Sequence, residues 1–119
     1  MEYLALIYAD ERAWETFSDA ERAAAYEQYA AFGREGRAAG VVIGGGELGP
    51  PADATTVRVR DAQVAVTDGP YAEVKEALGG YYLLDCGSLE EAVEWASRIP
   101  GAHHGSVEVR AVHVDPEEG

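Results

Sequence analysis

"TTVRVRDAQVAVTDGPYAEVKEALGGYYLLD", residues 55–85, decides how this chain folds. Its first part alternates apolar and polar residues on either side of Asp61-Ala62, the pattern of two antiparallel strands joined by a two-residue turn. In that register Val57, Val59, Val64 and Val66 share one face, and Arg58 and Arg60 share the other with Ala65. Extending the alternation by two residues places Asp68 on the valine face. Ala62 suits a type I′ turn less well than glycine, because both central residues of that turn need positive φ. "LGGYYLLDC", residues 78–86, then reads as a further strand.

The flanking segments complete the architecture. "YLALIYA", residues 3–9, is apolar on both strand faces, which suits a central strand buried on both sides. Residues 18–39 read as a helix: Ser18 and Glu21 have capping-box spacing, and Gly40 is placed to stop it. Ala23, Tyr26, Ala30, Gly33 and Arg37 fall close to one stripe of that helix. "VVIGGGEL" is a strand running into a glycine-rich bend, and "GPPAD" is a loop. Ser88 and Glu91 repeat the capping spacing before a second helix striped by Leu89, Ala92, Val93, Ala96 and Ile99, ended by Pro100-Gly101. "SVEVRAVHV" closes the chain as a strand. Two helices on one face of an antiparallel sheet, with a β-hairpin added, predict a ferredoxin-like α+β fold. The opposite face carries enough Val, Ile, Leu and Tyr that a second copy of the chain is expected to cover it, as a homodimer.

Composition narrows the function. The chain has 119 residues, room for one domain, expected over residues 1–114 with a frayed acidic tail at 115–119. Its 22 acidic and 9 basic side chains give a net charge of −13. That field opposes direct contact with nucleic acid or with anionic membranes. Cys86 is the single cysteine, so no intramolecular disulfide and no cysteine-based zinc site is expected. No stretch resembles a signal peptide or a membrane span, and the expectation is a cytoplasmic protein.

Across nearly its whole length the chain resembles the DGPF (YCII-related) proteins. "DGPYAEVKEALGGYYLLD" carries the signature, with Tyr71 in place of the phenylalanine. "MEYLALIYADERAW", "AAGVVIGGGEL", "PPADATTVRVRD", "LEEAVEWASRIP" and "HGSVEVRAV" are similar to family blocks in family order. The resemblance implies a dimeric α+β barrel and small cytoplasmic bacterial relatives, often encoded beside extracytoplasmic-function sigma factors. It settles no reaction. Related barrels enclose a cavity and use acidic and histidine side chains there.

Among the candidate residues Asp68 stands first. A carboxylate on an apolar face has its charged form disfavoured and is suited to acid–base work. The competing role is a turn cap, bonding nearby backbone N–H groups. Gly69-Pro70 fixes the chain direction and aims Tyr71. Lys75, the sole lysine, sits between Glu73 and Glu76 and is expected to form a solvated ion pair. His103 and His104 are adjacent and point apart on an extended chain, and no metal or cofactor is predicted. His104 and His113 are placed to reach a cavity, and Tyr8 and Asp10 to line its rim. Gly44-Gly45-Gly46 lacks phosphate-loop spacing and a following helix. Tyr81, Tyr82 and Trp95 are expected as core or interface aromatics, and Cys86 as a buried small side chain. Three functions follow. One is a cofactor-independent enzyme for a small-molecule ligand, with Asp68 and His104 catalytic and Tyr8, Asp10, Gly69, Pro70 and Tyr71 binding. The second is a regulatory module for a protein partner such as a sigma factor. The third is a purely structural dimer.

Overall fold

The computed structural model describes residues 1–113, so the expected acidic tail lies outside the described residues. Strand β1 (Glu2–Ala9) leads through a short helix α1 (Glu11–Glu15) into the long helix α2 (Asp19–Ala38) and strand β2 (Val42–Glu47). A hairpin of β3 (Thr55–Arg60) and β4 (Gln63–Asp68) follows, then β5 (Ala77–Asp85), α3 (Leu89–Ala96) and β6 (Ser106–Ala111). The main sheet has the order β2-β5-β1-β6, antiparallel throughout. With the hairpin set aside, this is the ferredoxin-like arrangement, two split βαβ units interleaved so that the first and third main-sheet strands lie at the centre. The hairpin forms a second sheet of its own. No helix among the described residues is long and apolar enough to cross a membrane.

Local signals set the helix starts. The Ser18 side chain accepts from the Glu21 N–H at 3.1 Å and the Glu21 carboxylate accepts from the Ser18 N–H at 3.0 Å, a reciprocal capping box. At α3 the Ser88 hydroxyl caps Glu91 N–H in the same way. There the Glu91 carboxylate reaches one residue further back, to the Gly87 N–H at 2.9 Å. The hairpin turn is as read: Asp61 and Ala62 have φ of 51° and 62°, and Val57 faces Val66 as Val59 faces Val64.

The core forms where one face of the sheet meets α2 and α3. Tyr3, Ala5, Ile7 and Leu84 point into it from the strands, and Phe32, Ala92, Ala96 and Ile99 from the other layer. Phe32 packs on Tyr82 with ring centroids 4.9 Å apart and edge-on to Trp95 at 6.2 Å. Cys86 is buried, and burial pushes its thiol pKa up.

Two sequence expectations need correction, both in the helices. The buried face of α2 is Phe32, Gly33 and Gly36 with Tyr29 packed beside them, about one residue round from the expected stripe, and Tyr26 is exposed. The helix is phased by its aromatics and by Gly36, whose missing side chain lets Val42 approach. In α3 only Ala92, Ala96 and the following Ile99 are buried. Leu89 and Val93 face outward, and the helix ends at Ala96, before Pro100-Gly101. β1 is fully buried on one side only: Leu4, Leu6 and Tyr8 are half-covered, with no element among the described residues lying over that face. The valine face of the hairpin is open too, with its four valines between 54% and 68% exposed. The molecule is a plate of 47 × 47 × 18 Å.

Candidate functional site

A cleft of about 880 Å³ opens between the helix layer and the sheet. Its floor is Ile7 from β1 with Gly80 and Tyr82 from β5. One wall is the glycine-rich end of β2, which carries no side chains at Gly44, Gly45 and Gly46 and so leaves the space empty. The other wall is aromatic: Trp14 from α1, Phe17 from the α1–α2 connection, and Tyr26 and Tyr29 from α2. Trp14 packs at a tilt on Phe17, with centroids 5.4 Å apart, and edge-on at 5.5 Å to Tyr26, so these three rings form one packed cluster. Its volume lies in the range of small-molecule sites, roughly 300–1,000 Å³.

Helix α1, which the sequence reading did not anticipate, builds the mouth. Asp10 is its N-cap, accepting from the Arg12 N–H at 3.0 Å. The Arg12 guanidinium closes a fork on the same carboxylate at 3.2 and 3.3 Å. These bonds, the side-chain pair foremost, hold the Asp10 carboxyl below its usual range. His104 also lines the cleft and meets Phe17 edge-on at 6.1 Å. Deeper in, burial pushes up the phenols of Tyr29 and Tyr82. The Gly101 backbone partly offsets this at Tyr29, and the Arg37 charge does so at Tyr82. Gly101 is needed at this point, since a Cβ there would stand 2.7 Å from the Tyr29 hydroxyl and 2.8 Å from Ile7 Cγ2.

The expected site residues divide into two groups. Asp10 and His104 line the cleft together. Tyr8 points to the opposite face of β1 from Ile7 and is not part of the lining. His113 is exposed beyond the end of β6. Asp68 ends β4 opposite Thr55, on the valine face as the alternation requires, exposed and outside the cleft lining. The corner after it is held by Gly69 N–H to Ala54 O at 2.6 Å and by the Thr56 hydroxyl to Gly69 O at 2.8 Å. Neither bond uses the Asp68 carboxylate. Gly69 has φ +99°, a conformation that favours glycine. Pro70 is half-buried and Tyr71 is 81% exposed. Lys75 makes no ion pair within 4.0 Å among the described residues, contrary to its expected pairing with Glu73 or Glu76. Its charge instead reaches Asp10 and helps to lower that carboxyl. Among the described residues no three His, Cys, Asp or Glu side chains converge as metal ligands.

A family model of the YCII-related domain matches residues 1–114. The chain belongs to the YCII-related family. A relative of this YCII-related chain, an uncharacterized protein of Rhizobium meliloti (strain 1021), is 38% identical over 112 residues, covering 92% of this chain and 90% of its own length. The signature corner and the cleft are therefore separate parts of one YCII-related domain. The signature runs on from that corner into β5, whose Gly80 and Tyr82 lie in the cleft floor, and the Lys75 charge acts on Asp10.

Proposed function

We propose that the chain binds a small organic molecule in the cleft and acts on it, or responds to it, as a homodimer. The cleft carries this reading: an apolar, aromatic-walled space with Asp10 and His104 at its mouth. A carboxylate and an imidazole lining one cleft are suited to orient a polar group, and the imidazole to move a proton. The dimer is motivated by the uncovered Val57, Val59, Val64 and Val66 and by the half-covered Leu4 and Leu6. Asp68 stands outside the cleft of its own chain, so in this reading its acid–base role is exerted across the subunit boundary. A fragment library observed by amide NMR tests the reading. Shifts centred on Ile7, Tyr29, Gly80 and Tyr82 are expected, and hits that cluster anywhere else would sink it. For any hit that is turned over, mixing Asp68→Asn with His104→Ala subunits should restore part of the activity, because hybrid dimers regain one intact site.

The exposed signature loop favours a second reading, a module for a basic protein partner of the sigma-factor type. Tyr71 and Val74 stand in solvent on a strongly acidic chain. Pull-down with the intact chain and with Tyr71→Ala tests it, and equal recovery by both would remove it.

A further inference from the structure

Resting on the reading of the cleft as a small-molecule site, we propose that its ligand is an organic cation: an ammonium head on an apolar or aryl body. Three observations converge on the α1 end of the cleft. First, its charges are unbalanced. Asp10 is neutralised by Arg12, but Glu11, Glu15 and Glu47 line the space without an ion-pair partner within 4.0 Å among the described residues. Among the described residues Arg37 is the one Arg or Lys of the lining, beside Tyr82; at the α1 end Arg22 approaches the Trp14 ring. Second, the acids share the lining with aromatic rings. Glu11 and Glu15 lie on the same short helix as Trp14, and Trp14, Phe17 and Tyr26 form one cluster. Third, that cluster already holds a cation: the Arg22 guanidinium lies over the Trp14 ring, 5.7 Å from its centroid. Aromatic faces attract cations through their quadrupole, and more strongly where water is displaced. The net charge of −13 adds a field that concentrates cations at the mouth and repels carboxylates and phosphates. The floor of Ile7, Gly80 and Tyr82 offers apolar contact to the rest of the molecule.

Calorimetric titration of the full chain with three matched ligands decides the matter: 3-phenylpropylammonium, 3-phenylpropanol and 3-phenylpropionate, each at low and high ionic strength. The ammonium compound is expected to bind at least about tenfold more tightly than the carboxylate. Salt should narrow the gap, and the alcohol should fall between. A Glu11→Gln/Glu15→Gln double variant should weaken the ammonium compound and leave the alcohol unchanged. Carboxylate binding as tight as ammonium binding, or a double variant that binds the ammonium compound normally, would overturn the charge preference while leaving the cleft as a binding site. Failure of all three ligands would overturn the binding reading itself, and the inference with it.

Discussion

Ala9 pairs with Ala77 on the last rung between β1 and β5. That rung fixes where two distant pieces of sequence meet. Asp10 leaves β1 just as the signature enters β5, so the family motif runs on from there into the floor of the cleft at Gly80 and Tyr82. The motif is thus tied to the site through its last residues, whereas Asp68 stands at its far end.

The charges around Asp10 can be ranked. Its lowered pKa owes most to the Arg12 side chain and least to Lys75. Carboxyl titration by NMR should show Arg12→Ala moving Asp10 up toward the ordinary value, and Lys75→Met moving it by less. The reverse order would mean that the loop sits closer to the mouth than the fold allows.

Glu21 gives α2 a pH-dependent start. Its carboxyl is held down first by the Ser18 N–H and then by the Ser18 side chain. A depressed native pKa stabilises the fold above the ordinary carboxylate value, about 4.3, and that contribution is lost as pH falls through the lower native value. Urea midpoints measured down through this window should fall less steeply for Glu21→Gln, which keeps a hydrogen-bonding cap without the titration.

Gly36 is a contact requirement. A Cβ at this position would collide with Val42 Cγ2. Alanine improves helix propensity by about 1 kcal/mol, but overpacking a buried seam costs about 1–3 kcal/mol. Gly36→Ala should therefore destabilise in chemical denaturation, and adding Val42→Ala should recover part of the loss.

The hairpin turn points the other way. Ala62 holds φ 62°, which costs an L-residue about 1–2 kcal/mol. Ala62→Gly should raise amide-exchange protection at Val59 and Val64. Lower protection would show that the glycine's extra freedom in the unfolded chain outweighs the relieved strain.

The exposed valines bear on assembly. If they meet a second copy, Val59→Lys/Val64→Lys should sediment as a monomer with unchanged secondary structure, whereas the parent chain sediments as a dimer. Identical sedimentation of the two would place any contact elsewhere.

What the sequence disclosed follows the range of each interaction. The hairpin register and both serine caps are set by residues within a few positions of one another, and they were legible. The facing of α2 was misread by about one residue because alanines lie on all sides of "AERAAAYEQYAAFGREGRA" and dilute the apolar stripe. Its true face depends on where Phe32 meets Tyr82, fifty residues away. Helix α1 was missed because a five-residue element leaves almost no periodicity; the Asp10–Arg12 spacing was its one local sign. Asp10 and His104 are each legible as candidates, but their shared cleft is assembled from β1, α1, α2, β2 and β5, and no local pattern encodes such a meeting. Asp68 was assigned to the correct face. That the face is bare in a single chain follows only from the placement of everything else.

The glycine wall has a consequence for how crowded copies behave. β2 and β6 are the outer strands of the main sheet, and such rims are templates for runaway strand pairing. β2 breaks its ladder with a register shift between Val42 and Gly44, and β6 carries Glu108 and Arg110 on its uncovered side. The glycines that hollow out the cleft sit beside that irregularity, which also spoils the rim as a seed for fibres.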